Sequence, residues 1–210
     1  MARGFTQVYG DNYTDTFAPV AKLHTVRVLL SLATNLSWDL WQMDVKNAFL
    51  QGELEEEVYM TPPPGLESRF QPGKVLRLRK AIYGLKQSPR AWYHKLSHTL
   101  RDKGFKKSEA DHTLFTLRGP NGIVVVLIYV DDIIISGNDK DGISATKSYL
   151  HSVFDIKDLG ELKYFLGIEI CRSPEGLFLS QRKYTLDLLV ETGMGDCRPA
   201  KTPLEEGYKV

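Results

Sequence analysis

An α+β fold is what the sequence predicts, and three observations predict it. Short runs of β-branched and apolar residues, strand-like in length, are interspersed with segments whose apolar residues recur at helical spacing. Two pairs of those short runs are joined by turn residues, as hairpins are. Strands and helices are mixed without internal repeats or low-complexity tracts, and the hairpins argue for α+β over a parallel α/β sheet.

Taken in order, Val26, Leu29, Leu30, Ala33 and Leu36 recur at helical spacing, so an amphipathic helix is expected over about Leu23–Leu36. Trp38–Val45 ("WDLWQMDV") reads as a strand, and "EVYM" and "KVLRLRK" as two more around the stiff loop "TPPPG". Ser88 followed by Pro89 is a good N-cap and N1 pair, opening a helix that Gly104 closes. A strand near Leu114–Leu117 and the turn "GPNG" lead into two buried strands, Ile123–Val130 and Ile133–Ser136. A helix near Asp141–Val153 carries Ile143, Thr146, Leu150 and Val153 on one face. "KYFLGIEIC" and "LFLS" form a hairpin around "RSPEG", a last helix runs near Gln181–Thr192 until Gly193 stops it, and the tail "CRPAKTPLEEGYKV" is irregular.

The anomaly is in "GIVVVLIYVDDIIISGN", Gly122–Asn138, where Asp131 and Asp132 interrupt an otherwise apolar hairpin. Desolvated carboxylates are costly unless paired, hydrogen-bonded or metal-bound, and adjacent ones repel. Asp-Asp is also a poor hairpin turn beside Asn-Gly or Asp-Gly. A third acid can join them. Along Trp38–Val45, Trp41, Met43 and Val45 share one face and Asp44 lies on the other, at the strand's end, so that neighbouring strands bring Asp44 and Asp131 to one rim. Three carboxylates with two Mg²⁺ ions suit in-line displacement at phosphorus, one ion activating a 3′-hydroxyl and the other neutralising a triphosphate leaving group. By alternation Asp132 faces away from Asp131.

Composition bounds the function. The chain has 210 residues, 42% of them hydrophobic, enough for one large domain or two small ones. Two cysteines, Cys171 and Cys197, without metal spacing argue against a disulfide framework and fit a reducing compartment. "MARGFTQVYG" has no signal-peptide core, and the apolar run around the aspartates is too short to span a bilayer, so a soluble intracellular chain is expected. Net charge is +1, but Lys74–Lys107 holds eleven Lys/Arg against one acid, Asp102. Tyr83, Trp92, Tyr93 and Phe105 interleave that block, which turns the reading from a solvated helix face toward a phosphate-tracking, base-stacking surface. His94 and His98 stand at i, i+4 with no third ligand nearby in sequence, and the acidic run Glu53–Glu57 reads as a solvated segment just past a turn.

"WQMDVKNAFLQGELEEEVYMTPPPG", "AIYGLKQSPRAWY", "YVDDIIISG" and "LGELKYFLGIEI", in this order, resemble the reverse transcriptase of copia-type LTR retrotransposons, and the match runs from "ARGFTQVYGDNYTDTFAPVAKL" to "KTPL". The resemblance implies a right-handed polymerase whose palm is an antiparallel sheet backed by helices. The fingers would lie mainly in 1–37 and 53–87, the palm mainly in 38–52 and 88–172, and the start of the connection or thumb in 173–210. It implies Asp44, Asp131 and Asp132 as catalytic metal ligands, with the Val45 carbonyl as a further ligand, and Lys163 (or Lys157) assisting phosphoryl transfer. Phe49 matches the steric gate under the sugar. Gly84, Lys86, Gln87, Ser88 and Pro89 match the segment beside the nascent base pair and template, and Phe165, Leu166 and Gly167 the primer grip; Arg77, Arg79 and Arg90 are added from the basic block.

The implied cofactor is Mg²⁺, two ions, with Mn²⁺ able to substitute. The implied partners are dNTPs, a primed RNA or DNA template and the rest of a Pol polyprotein (integrase, RNase H) in cis, with no membrane. The implied setting is the cytoplasm, within a virus-like particle, and the nucleus. Family members carry further finger sequence before "ARGFTQ" and continue past "KTPL" into RNase H, so a fragment truncated in N-terminal fingers and C-terminal thumb and RNase H is expected. Retroviral enzymes usually have Gln where this chain has Tyr83, so their polar sugar contacts do not transfer. The alternative is a non-catalytic remnant that keeps the fold and binds nucleic acid without turnover.

Overall fold

Val124–Ile128, five consecutive residues each at most 6% exposed, mark a strand buried on both faces, and the architecture is arranged around it. The computed structural model describes residues 4–66, 69–71 and 73–199. It divides into two units, residues 1–162 and 163–210.

The first unit contains, in chain order, a short 3₁₀ turn Gly4–Thr6, α1 (Leu23–Asn35), β1 (Asp39–Val45), α2 (Ala48–Gln51), β2 (Glu53–Met60), β3 (Leu76–Lys80), α3 (Ser88–Asp102), β4 (Lys106–Lys107), β5 (Leu114–Gly119), β6 (Gly122–Tyr129), β7 (Asp132–Gly137), α4 (Lys140–Val153) and β8 (Ile156–Glu161). Six strands form an antiparallel sheet in the order β4-β5-β6-β7-β1-β8; β2 and β3 pair as a separate ribbon. Mixed helices with antiparallel sheets are therefore the observed class, as expected.

One face of the sheet contributes Met43, Val45, Phe115, Val124, Val126, Ile128, Ile133 and Ile135 to a core that α3 closes with Trp92, Leu96 and Leu100, and α4 with Ile143 and Leu150. The odd-numbered residues of β1 point into this core, so the even-numbered ones, Leu40, Gln42 and Asp44, point out of the opposite face. Both sheet edges are blunted. β4 is only two lysines long, and β8 carries Lys157, Asp158 and Glu161 with a register shift against Gln42/Met43.

Asp111 ties the N-terminus of α1 to the sheet. It is 4% exposed and accepts hydrogen bonds from Lys22 N (3.0 Å), Thr25 Oγ1 (2.5 Å), Thr113 N (2.9 Å) and Thr113 Oγ1 (2.6 Å). The N-cap of α1, Lys22, makes no side-chain cap, and Asp111 supplies from a distance the acceptor for the N-cap N–H that an N3 acid gives in a capping box.

The structure changes several expected elements. The aspartates do not form the loop of their hairpin: Tyr129 pairs with Asp132, the two-residue turn is Val130-Asp131, and Asp132 opens β7. The turn is possible because Val130 takes φ 54°, a left-handed value unfavourable for a β-branched residue, which its neighbours hold in place. Val130 O accepts from Trp92 Nε1 (2.6 Å), and Asp131 O from Val45 N (2.9 Å). Ser88 is the first residue of α3 and not its cap; Gln87 holds the cap position, and the Ser88 hydroxyl donates to Ile82 O (2.6 Å) instead. The acidic run Glu53–Glu57 is part of β2 rather than a post-turn segment. Val153 is 41% exposed, off the buried face of α4.

The second unit holds β9 (Tyr164–Phe165), β10 (Ile168–Ser173), β11 (Gly176–Ser180) and α5 (Arg182–Glu191). "KYFLGIEIC" is two strands rather than one, folded over a tight turn at Leu166 (φ 52°) and Gly167 (φ 78°), and β10 then pairs with β11. Glu169 reaches from β10 to the start of α5, accepting from Lys183 N (3.0 Å) and Ser180 Oγ (3.3 Å). Phe165 and Ile170 are buried, whereas α5 buries none of its residues. Most of the tail from Cys197, residues 200–210, lies outside the described residues.

Candidate active site

Asp44, at the outward face of β1, is the register partner of Asp132 on β7 and, across its other edge, of Lys157 on β8. Directly opposed residues of an antiparallel pair point to the same face, so an acid, an acid and a lysine form one row across three strands. Like charges set opposite each other destabilise a sheet. Burial pushes the Asp132 carboxyl above the usual range, the charges of Asp131 and Asp44 push it further, and a hydrogen bond from Gln42 Nε2 to Asp132 Oδ1 (2.9 Å) works against both. Asp131, in the turn, is thereby within electrostatic range of the row. Among the described residues none of the three aspartates has an ion-pair partner.

Two aromatic rings, Phe49 and Tyr83, pack against each other in the same unit. Phe49, in α2, packs partly against the core and against the Tyr83 ring, centroid to centroid 4.4 Å at 46°. The Tyr83 hydroxyl is pushed above its ordinary value by burial and then by the negative charges of Asp131 and Asp44, so the phenol lies within electrostatic range of the acids. Gln42 and Tyr83 are the members of the site that reading the sequence missed. A signal existed for Gln42, an amide at an i−2 position on the same face as Asp44; for Tyr83 its place in the basic block and its position where retroviral enzymes usually carry Gln were visible, but neither put its ring near the aspartates.

A metal ion would need oxygen donors here, and carboxylates are the hard donors that Mg²⁺ takes. Two directly opposed acids on adjoining strands and a third in the turn beside them, none with an ion-pair partner among the described residues, are chemically suited to that ion. Among the described residues, however, no group of three His, Cys, Asp or Glu side chains stands assembled as a ready cage. Val45, the proposed carbonyl ligand, is in the core by its side chain and bonds the turn by its N–H.

The remaining sequence-derived residues are placed as follows. Gly84 O accepts from Gly4 N (2.8 Å), and Lys86 bonds Gln7 through its backbone N–H and through Nζ and lies over the Tyr13 ring. Gln87 is 2% exposed, spent on Gln7 and Asn12, and Ser88 is fully buried, so neither presents a polar group to solvent. Pro89 lies in the first turn of α3. Arg90 pairs with Asp15 (3.0 Å) and donates to Phe17 O, and Arg77 pairs with Glu57 (3.1 Å). Arg79 is exposed with no ion-pair partner among the described residues. Lys163, Phe165, Leu166 and Gly167 belong to the second unit, where Lys163 O accepts from Ile170 N (2.8 Å). A cavity of about 700 Å³ lined by Glu53, Glu55, His94, Lys95 and Asp102 involves none of the three aspartates. His98 Nδ1 lies 2.8 Å from Asp102 Oδ2 there, an i, i+4 pair on α3.

Comparison with known proteins bears on the whole chain. Residues 1–206 match the family described as Reverse transcriptase (RNA-dependent DNA polymerase). The chain is 48% identical over 210 residues to the Retrovirus-related Pol polyprotein from transposon RE2 of Arabidopsis thaliana, covering all of this chain and 14% of that protein. It is 40% identical over 213 residues to the Retrovirus-related Pol polyprotein from transposon TNT 1-94 of Nicotiana tabacum, again over its full length and 16% of the relative. The Transposon Ty1-H Gag-Pol polyprotein of Saccharomyces cerevisiae is 31% identical over 183 residues, 81% of this chain and 10% of that one. The chain thus spans about a seventh of the length of the first two, and the resemblance to copia-type Pol polyproteins carried by its motifs is borne out.

Proposed function

The chain belongs to the reverse transcriptase (RNA-dependent DNA polymerase) family, as a domain of the retrotransposon Pol type, and on that premise we propose that it extends a primer 3′-hydroxyl with dNTPs on an RNA or DNA template. The observation that carries this reading is the pair Asp44 and Asp132, opposed across β1 and β7 with Asp131 in the adjoining turn and, among the described residues, no ion-pair partner on any of them. A sheet keeps such a repulsive pair where something other than the fold uses it.

In this reading the six-stranded sheet with α3 and α4 is the palm, and the β2–β3 ribbon with the N-terminal segment belongs to the fingers. Asp44, Asp131 and Asp132 would hold two divalent cations, Mg²⁺ or Mn²⁺. When bound, such ions lower the pKa of an attacking hydroxyl and neutralise a polyphosphate leaving group. The chain's own residues do the rest. The turn backbone, pinned by Trp92 and Val45, fixes where Asp131 stands. The Phe49 ring bars a 2′-hydroxyl and admits the bare 2′-carbon of a deoxyribose, a discrimination by clash. Lys157, opposite Asp44, is the lysine that the sheet places beside the acids, and its Nζ would supply a proton to the departing pyrophosphate oxygen. The remaining polyprotein domains in cis would supply further contacts to primer and template, and the cytoplasmic particle is the setting in which they work.

Primer extension on an RNA template with Mg²⁺ tests the reading. The wild-type chain is expected to add nucleotides, and Asp44→Asn and Asp131→Asn each to fall to background while keeping their folds. A chain that binds primer–template and never extends it, with every divalent cation tried, would make the protein a non-catalytic remnant.

A further inference from the structure

Gln42 is the residue of the site with no role yet. It lies two positions before Asp44 on the same face of β1, is 8% exposed, and its register partner on β7 is the fully buried Ile134. An amide facing a buried isoleucine is costly unless it is hydrogen-bonded. Its bond goes diagonally across the strand pair, from Nε2 to Asp132 Oδ1 at 2.9 Å.

We propose that Gln42 is a positioning residue for cation binding, holding Asp132 by one carboxylate oxygen so that the other stays available to the ion. This rests on the two-cation reading above. The chemistry favours an amide for the task. Directly opposed to Asp44 and next in sequence to Asp131, an untethered Asp132 would swing away from like charge, and a cation would have to bring it back. A lysine or arginine at position 42 would tether Asp132 but cancel the charge that attracts the ion. A neutral N–H donor orients the carboxylate and leaves its charge in place. The donor is itself fixed, since Gln42 is 8% exposed in a strand paired on both sides, opposite Ile134 on β7 and Gly160 on β8. Outer-shell partners of this kind typically change metal affinity by about ten- to a hundredfold when removed.

The experiment measures Mn²⁺ binding to the full chain by the electron paramagnetic resonance signal of the free ion. Five proteins are compared: wild type, Gln42→Met (similar length, no donor), Asp132→Asn, the double variant of these two, and Asp44→Asn/Asp131→Asn. Gln42→Met is expected to weaken Mn²⁺ binding by about ten- to a hundredfold. In the Asp132→Asn background the same substitution should change affinity by less than about twofold, because its effect passes through the Asp132 carboxylate. Unchanged affinity in Gln42→Met overturns the proposal. So does an equal loss in both backgrounds, which would mean general damage to β1. Should Gln42→Met fail to fold, Gln42→Asn keeps an amide in the strand but falls one methylene short of Asp132, and the same criteria apply. Mn²⁺ binding that is absent in wild type, or undiminished in Asp44→Asn/Asp131→Asn, overturns the two-cation reading itself and this inference with it.

Discussion

Asp111 illustrates how one carboxylate can hold two distant segments, and it makes a sharp residue-scale prediction. Burial raises its pKa, but the hydrogen bonds from Thr113, Thr25 and Lys22 outweigh burial, and the net shift is downward from 3.8. A depressed carboxyl contributes stability that is present above the unfolded pKa and lost as pH falls through the folded one. Asp111→Ala should therefore destabilise the fold by about 3 kcal/mol at neutral pH, since two backbone N–H groups and two hydroxyls lose their acceptor. The deficit should shrink below pH 3.8, which urea titrations at several pH values would reveal; a pH-independent deficit would refute the assignment. Phe49 is the second case. If the proposed steric gate holds, Phe49→Val removes its ring, and the dNTP/rNTP ratio of kcat/KM should fall by about two orders of magnitude, near 2.7 kcal/mol at 1.36 kcal/mol per tenfold. Because Phe49 also packs on the core, a variant that loses stability and activity together would point to a core role, and an active one with unchanged selectivity would remove the gate.

At the scale of elements, the basic block is less uniform than its charge count suggests. Arg90 and Arg77 are bound to acids of the same chain, and Lys86 to Gln7 and Tyr13, whereas Arg79 stands exposed on β3. Surface pairs such as Arg77–Glu57 are weak and exchange readily for phosphate, while Arg90 has a backbone carbonyl partner as well. Replacing Arg77 and Arg79 by Ala should therefore flatten the log–log salt slope of primer–template binding by about two units, and Arg90→Ala by less than one; equal slopes in all three would reduce the block to a solvated surface. The same scale shows what the sequence made legible. α1 and α4 were readable from helical periodicity, α3 from the end signals Ser88-Pro89 and Gly104, and the β6–β7 hairpin from its two continuous apolar runs. β4, β8 and α2 were not, because two lysines, a charged edge strand and a single helical turn have no period to detect. Asp44 could be placed by alternation along its own strand. Gln42 on Asp132, and Lys157 opposite Asp44, depend on inter-strand register set by a two-residue turn and a bulge, which no local pattern encodes.

For the whole molecule, the decisive fact is where the large core lies. Every residue of the main apolar cluster falls between Met43 and Ile156, inside the first unit, as do all three aspartates. The second unit has a hairpin with two buried apolar residues and a helix with none. A chain ending at Leu162 should thus unfold in a single cooperative transition and retain Mn²⁺ binding, while residues 163–210 alone should show no cooperative melt in circular dichroism. Loss of cooperative folding on removing residues 163–210 would show that the first unit's core is insufficient by itself.

The bond from Trp92 to the carbonyl of Val130 has an optical consequence. Trp92 is 1% exposed, packs edge-on to Phe154 at 5.2 Å, and is one of only three tryptophans in the chain. Its indole is thus a chromophore wired to the one left-handed valine beside the aspartates. In a Trp38→Phe/Trp41→Phe background, its emission is expected to be blue and narrow. Binding a cation or a nucleotide should move it to the extent that the turn flexes, while Val130→Gly, free of the strained φ, should broaden it. An emission that ignores both would mean the turn stays rigid when a ligand arrives; one that follows them would let each binding event be watched in real time, without any label.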